Sequence, residues 1–320
     1  MDICLMIEGQ EGVTWDQWVA LARACEEHGF EGLFRSDHYL SFWDPKGRGA
    51  LDAWATISAL GTITDRIRLG AMVSPVTFRH PSELAKVVVT ADHASKGRVE
   101  LGMGAGWFDA EHRAFGFRFP SVAERLDLLT EQVEIVHRLV TGDGTEVDFE
   151  GRHYRLESCP AFPAPHQAPH PPLIIGGGAG PRSTALAARW ADEYDTVYVS
   201  SAEARERFDR VSAACEAIGR DPAAVRHSVL LKIVAGVDQG EVRRRAIEQM
   251  AWQNEDGDPV AYNRELRRSG LAGTPAEIVD QLSAYAAAGV QRVLVHQLVH
   301  TDLDAVELIG REVVPAAAAL

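Results

Sequence analysis

Eight short apolar segments, each followed by a stretch of helical periodicity, constrain this chain more than any other feature. The apolar runs fall near residues 2–7, 30–35, 67–73, 99–104, 171–175, 196–199, 229–234 and 292–296. Each has the length of a buried strand, and most end in small or polar residues. The intervening stretches read as amphipathic helices: 15–28 places Val19, Leu21, Ala22 and Cys25 on one face, and 122–140 is a long one. Such an alternation over 320 residues predicts an α/β chain folded as a (β/α)8 TIM barrel rather than a doubly wound sheet.

Two segments interrupt the alternation. Residues 145–154 alternate polar and apolar side chains around Gly151, which reads as a hairpin, and six prolines between 160 and 172 then stiffen the approach to the fifth strand. Residues 242–270 are charged and helical, and they precede Gly273-Thr274-Pro275-Ala276-Glu277. There Thr274 suits an N-cap, with Pro275 at the first helical position and Glu277 three residues on. The chain is therefore read as one domain, 1–320, with insertions after helix 4 (about 142–171) and between strands 7 and 8 (about 239–272). Both are expected over a loop end of the barrel, where lids reside.

The formal net charge of -14 argues against a nucleic-acid partner, which requires a basic face. Cys4, Cys25, Cys159 and Cys215 have no C-x-x-C or Cys/His metal spacing, and read as free thiols in a reducing cytoplasm. No run approaches the roughly 18 apolar residues of a membrane span. The first seven residues lack the basic start of a signal peptide. A cytoplasmic protein with no membrane partner is expected.

Chemistry in such a barrel gathers at the C-terminal ends of the strands. The second strand delivers Arg35-Ser36-Asp37-His38-Tyr39, an acid beside an imidazole suited to proton transfer; the bland alternative is a turn-capping Asp37 and a bystander His38. The third ends in Met72-Val73-Ser74-Pro75, and the fourth in Gly102-Met103-Gly104-Ala105-Gly106-Trp107-Phe108. Alternate glycines there strip one strand face, either to admit a flat ring or to pack the barrel tightly. Glu111-His112 lacks the convergent ligand set of a metal site, and no metal is expected. The fifth strand runs into Gly176-Gly177-Gly178-Ala179-Gly180-Pro181 and then a helix. Bare backbone N–H groups at such a junction form an anion site. Pro181 takes the third glycine position of a dinucleotide fingerprint, so a Rossmann reading fits poorly.

Taken together, Ser36-Asp37-His38, residues 73–81 (Val-Ser-Pro-Val-Thr-Phe-Arg-His-Pro), Gly104-Ala105-Gly106-Trp107-Phe108, Leu173-Ile174-Ile175-Gly176-Gly177-Gly178 and Leu271-Ala272-Gly273-Thr274-Pro275 resemble the bacterial luciferase-like monooxygenase superfamily, in particular its coenzyme F420-dependent oxidoreductase branch. The resemblance implies a flavin or deazaflavin at the C-terminal mouth of a TIM barrel. It places Asp37 against the ring system, His38 as the catalytic proton carrier and a non-proline cis peptide at Met72-Val73 behind the ring. It puts ring-edge contacts at Ala105 and Gly106, and phosphate-binding amides at Gly176, Gly177 and Gly178. Trp107 stands where the sugar-phosphate dehydrogenases of that branch carry Glu, and Ala110 where they carry Asn, so sugar-6-phosphate oxidation is not assigned.

The resemblance implies an F420-dependent oxidoreductase moving a hydride between the deazaflavin and a small organic substrate, with His38 catalytic. Trp107 and Glu111 are candidates for shaping the substrate pocket, and a homodimer is the expected assembly. The alternatives are an FMN-dependent monooxygenase using reduced flavin and oxygen, and a non-catalytic flavin-binding relative. An aldolase-type barrel would need a Schiff-base lysine, for which only Lys232 is eligible.

Overall fold

Strand and helix alternate through most of the structure, a computed structural model that describes residues 1–142 and 144–320. The order is β1 (Asp2–Ile7), α1 (Trp15–Glu27), β2 (Gly32–Arg35), α2 (Ala53–Gly61), β3 (Arg68–Pro75), α3 (Pro81–Ala94), β4 (Val99–Gly104), α4 (Asp109–Phe115) and α5 (Val122–Val140). Then come β5 (Glu146–Glu150), β6 (Arg155–Pro160), β7 (Leu173–Gly176), α6 (Pro181–Trp190), β8 (Glu193–Val197), α7 (Ser201–Ala217) and β9 (Arg226–Ala235). The chain ends with α8 (Gln239–Trp252), α9 (Pro259–Leu266), β10 (Leu271–Gly273), α10 (Pro275–Ala287), β11 (Arg292–His296), α11 (Leu303–Leu308) and α12 (Val314–Ala317).

Strands β1, β2, β3, β4, β7, β8, β9 and β11 pair in parallel in that order, and β11 returns to β1 to close a TIM barrel. The pleat sends alternate residues to opposite sides. Ile3, Leu5 and Ile7 pack outward in the main core between sheet and helices. Cys4 and Met6 point inward, where they meet Phe34, Met72, Ile174, Leu230 and Leu294. The 145–154 reading is met by the antiparallel β5–β6 hairpin, and the second insertion by α8, α9 and the short β10, which pairs with β9.

Local signals set the helix ends. Thr14 and Gln17 form a capping box at α1, whose buried face is Trp18, Leu21, Ala22 and Cys25. Trp18 thus takes the buried place expected of Val19, which is half-buried. At α10, Glu277 accepts from Thr274 N at 2.8 Å and from Thr274 Oγ1 at 3.1 Å, as the spacing predicts. Among the described residues, no helix is long and apolar enough to cross a membrane.

The sixth barrel strand begins at Glu193, three residues before the apolar run, because its first residues carry charge into the N-terminal floor of the barrel. There Arg292 Nη1 lies 2.6 Å from Glu100 Oε2 and 3.0 Å from Glu193 Oε2, and Arg68 also pairs with Glu100. Clefts of about 590 and 480 Å³ open at this end, beside Arg226 and Arg292. Barrel enzymes keep chemistry at the opposite, C-terminal end.

Candidate active site

The loop after β2 carries Asp37 and His38 to the C-terminal mouth, and the two side chains part company there. Asp37 is 1% exposed. Its Oδ2 accepts from Ser74 Oγ at 2.8 Å and from Arg79 Nη1 at 2.5 Å, and Arg79 Nη2 reaches Oδ1 at 3.3 Å. Ser74 Oγ accepts in turn from Trp54 Nε1 at 2.9 Å. Arg79 Nη2 also contacts Asp52 Oδ2 at 2.9 Å. Burial works against the Arg79 cation, but Asp37 outweighs it and raises its pKa. An ionised carboxylate has about four lone-pair sites, and three on Asp37 are occupied within the protein.

His38 is held from behind. Its Nδ1 lies 2.8 Å from Glu111 Oε2, while Glu111 Oε1 accepts from the Leu40 amide at 3.0 Å and from the Tyr39 amide. Burial opposes the charged imidazole, but the hydrogen bond and charge of Glu111 prevail and raise the His38 pKa. Burial likewise opposes the Glu111 carboxylate, yet His38 and the two amides hold its pKa down. With Nδ1 committed to Glu111, Nε2 is the nitrogen free to exchange a proton. Phe42, Trp107 and Phe108 surround the imidazole with ring centroids at 4.9, 5.8 and 6.2 Å.

Glu111 is therefore not a wall of the substrate pocket, as the sequence led us to expect. It is fully buried and positions His38. Trp107, 62% exposed, stands on the rim beside it. His112 is tied to Thr77 Oγ1 through Nε2 at 2.6 Å and to the Phe108 carbonyl through Nδ1 at 2.7 Å.

The Met72-Val73 peptide is cis, in a segment where the β3–β4 register shifts between Ala71 and Ser74. Val73 explains part of the glycine pattern on β4. A Cβ on Gly104 would come within 2.4 Å of Val73 Cγ2, and one on Gly102 within 2.3 Å of the Ala71 carbonyl oxygen. These two glycines make room for β3, so the tight-packing reading applies to them. Ala105 and Gly106 follow as half-buried residues at the mouth.

At the fifth crossover the three glycines differ. Gly177 N donates to the Asp195 carbonyl at 3.0 Å, and Ala179 N to Tyr194 Oη at 2.7 Å. The Gly177 amide is thus spent within the fold. Gly176 is half-buried, and its Cβ position lies 3.2 Å from Val73 Cγ1. Gly178 is exposed, and a Cβ there would meet no atom within 4 Å. The open cradle centres on Gly178, ahead of α6.

Across the mouth lies a wall that sequence reading did not assemble. Tyr198 Oη is 2.6 Å from His296 Nδ1, and His296 Nε2 is 3.2 Å from Glu8 Oε1. Lys232 Nζ, bonded to Gln253 Oε1 at 2.7 Å, sits 5.6 Å from the Tyr198 ring centre. A cavity of about 300 Å³ opens between Tyr198, Lys232 and the α8–α9 insertion at Glu255, Tyr262 and Leu266. The signal was available: Glu8 and Tyr198 directly follow β1 and β8, and His296 ends β11. The loop after β2 meets the α8 end here, with the Arg48 guanidinium 3.8 Å from the Trp252 ring centre and Asn254 Nδ2 donating to the Trp43 carbonyl at 2.9 Å.

Residues 3–300 match the family model described as luciferase-like monooxygenase. The chain belongs to the luciferase-like monooxygenase family. Its curated relatives include an F420-dependent glucose-6-phosphate dehydrogenase of Nakamurella multipartita, 28% identical over 94% of this chain and 92% of the relative. They also include an F420-dependent hydroxymycolic acid dehydrogenase of Mycobacterium tuberculosis, 30% identical over 74% of this chain and 64% of the relative. Among solved structures, an F420-dependent secondary alcohol dehydrogenase in complex with an F420-acetone adduct superposes with a TM-score of 0.83 at 20% identity, covering 99% of this chain and 98% of the other. That last likeness speaks to the fold. At the mouth of this luciferase-like barrel an apolar side chain is open to a ligand: Val197, level with Leu230 of the inner cluster, is 45% exposed.

Proposed function

We propose that the protein is an F420-dependent oxidoreductase that moves a hydride between the deazaflavin and a small organic substrate. Coenzyme F420, when bound, supplies the two-electron hydride carrier. The chain's own residues do the rest. The apolar floor at Met72, Val73 and Leu230 accepts the ring, Ala105 and Gly106 border its edge, and Asp37 meets it through its remaining lone-pair site. Gly178, with Gly176 beside it, grips the phosphate. His38 Nε2 gives or takes the proton that accompanies hydride transfer at an oxygen-bearing carbon.

The observation that carries this reading is the His38–Glu111 dyad at the barrel mouth: a buried carboxylate fixes one ring nitrogen and leaves the other for proton exchange. The substrate cavity sets one lysine against Glu255 and Glu265, a poor match to a phosphate dianion, so a sugar phosphate is not assigned. The proposed setting is the cytoplasm, as a homodimer; Cys4, Cys25 and Cys215 are buried free thiols, which suits a reducing compartment.

Titration with F420, FMN and NADPH, followed by absorbance and fluorescence, tests the reading. F420 is expected to saturate a single site. Tight binding of FMN alone would replace the proposal with a flavin monooxygenase.

A further inference from the structure

Tyr198 and His296 form a hydrogen-bonded pair beside Glu8, on the wall opposite the Met72-Val73 bulge, and the proton chemistry of His38 makes no use of it. Tyr198 directly follows β8 with φ +51°, a backbone region that bulky residues rarely adopt. The strand end is bent to present this side chain. It is 38% exposed, beside the cavity that Lys232, Tyr262 and Leu266 also line. His296, 1% exposed, has Nδ1 2.6 Å from its hydroxyl, and the two rings lie nearly parallel at an interplanar angle of 10°. The other imidazole nitrogen, 3.2 Å from Glu8 Oε1, lacks the alignment of a hydrogen bond. Glu8 Oε2 is fixed by Gln10 Nε2 at 2.7 Å.

We propose that Tyr198 is the residue that hydrogen-bonds the reacting oxygen of the substrate, with its hydroxyl held by His296. The assignment rests on the oxidoreductase reading and adds the group that receives the substrate. Burial pushes the Tyr198 phenol well up and His296 down to about 4, so both are uncharged at neutral pH. A neutral imidazole carries one N–H. With that hydrogen on Nε2, Nδ1 accepts from Tyr198 and the phenol hydrogen is turned away from the substrate. With it on Nδ1, the Tyr198 O–H is released to donate to the reacting oxygen of the substrate. In that arrangement Tyr198 donates to the substrate oxygen, whether alcohol or carbonyl, without change of charge, while the single O–H hydrogen of the alcohol stays directed to His38, which exchanges it as the hydride moves. Tyr198 here binds and orients, and no proton leaves it for the substrate.

Carbonyl-13C cyclohexanone is the probe, titrated into wild type, Tyr198→Phe and His296→Asn, each with and without F420, by calorimetry and infrared spectroscopy. Wild type is expected to shift the carbonyl stretch to lower wavenumber on binding. Tyr198→Phe should lose that shift and bind about 3- to 10-fold more weakly, the size of one neutral hydrogen bond, with F420 affinity unchanged. His296→Asn should broaden the band, because the hydroxyl loses its fixed partner; it carries the test if Tyr198→Phe does not fold. Equal affinity with an unshifted band in all three proteins, or no binding of cyclohexanone to wild type, overturns the assignment. If F420 fails to bind while the probe still docks on Tyr198 in the cofactor-free protein, the F420 reading falls and the Tyr198 assignment stands.

Discussion

Glu111 Oε2 lies 2.8 Å from His38 Nδ1, although the two residues are 73 positions apart, one in the loop after β2 and the other in α4. The contact joins the β2 loop to α4 and decides which imidazole nitrogen is available for chemistry. Substituting the carboxylate therefore separates a positioning role from a wall of the pocket.

Glu111→Gln should bring the His38 titration midpoint down, because burial then acts without the opposing charge. His38 titrates in the fold above its ordinary 6.5, so its contribution to stability is full below 6.5 and fades as pH rises through the folded value. Glu111 titrates below its ordinary 4.5, so its contribution is present above 4.5 and is lost as pH falls through the folded value. The dyad is whole between about 4.5 and 6.5. Denaturant unfolding at pH 5.5 should show wild type ahead by about 1–3 kcal/mol, and the gap should narrow at pH 9. A gap independent of pH would show that the pair is not ionised as described.

His38→Ala should lower turnover by about 10²- to 10⁴-fold with F420 affinity nearly unchanged. Steady-state kinetics alongside a fluorescence titration checks both parts. Unchanged turnover would remove His38 from the mechanism.

Asp37→Asn leaves Arg79 at a buried junction with Asp52 as its remaining carboxylate. Loss of one partner of a buried pair costs about 3 kcal/mol, to be read from urea unfolding. Arg79→Ala and the double variant complete a cycle, in which a coupling near zero would contradict the pairing.

Two glycines near the proposed ring site should behave oppositely. Gly104→Ala forces a methyl group against Val73 Cγ2 and should destabilise the fold by about 1–3 kcal/mol. Gly178→Ala places its methyl group in open space, so melting should hold while F420 affinity falls. Equal effects on stability would show that Gly178 is a packing residue like Gly104.

The barrel was legible because its strands are apolar on both faces over most of their length, as buried parallel strands are. Legibility failed where charge enters the barrel: Glu193 and Asp195 point to the floor and hide the start of β8. The short helix α4, seven residues long, left too little periodicity to detect. Of the site, Asp37 and His38 were visible from a strand end and a family motif. Their actual partners, Arg79 and Glu111, are set by tertiary contact and carry no local spacing. Tyr198 and His296 meet across 98 positions of sequence, and each was read as part of a strand. The alternate glycines of β4 were read with a ring as one explanation, when a neighbouring strand is what crowds Gly102 and Gly104.

A crystal structure of the protein grown with F420 tests the central claim most directly. The ring is expected in van der Waals contact with Val73, between the His38 and Tyr198 walls, with its phosphate within hydrogen-bond distance of the Gly178 amide. Density for the coenzyme away from the C-terminal mouth, for example in the cleft beside Arg226 and Arg292, would contradict it.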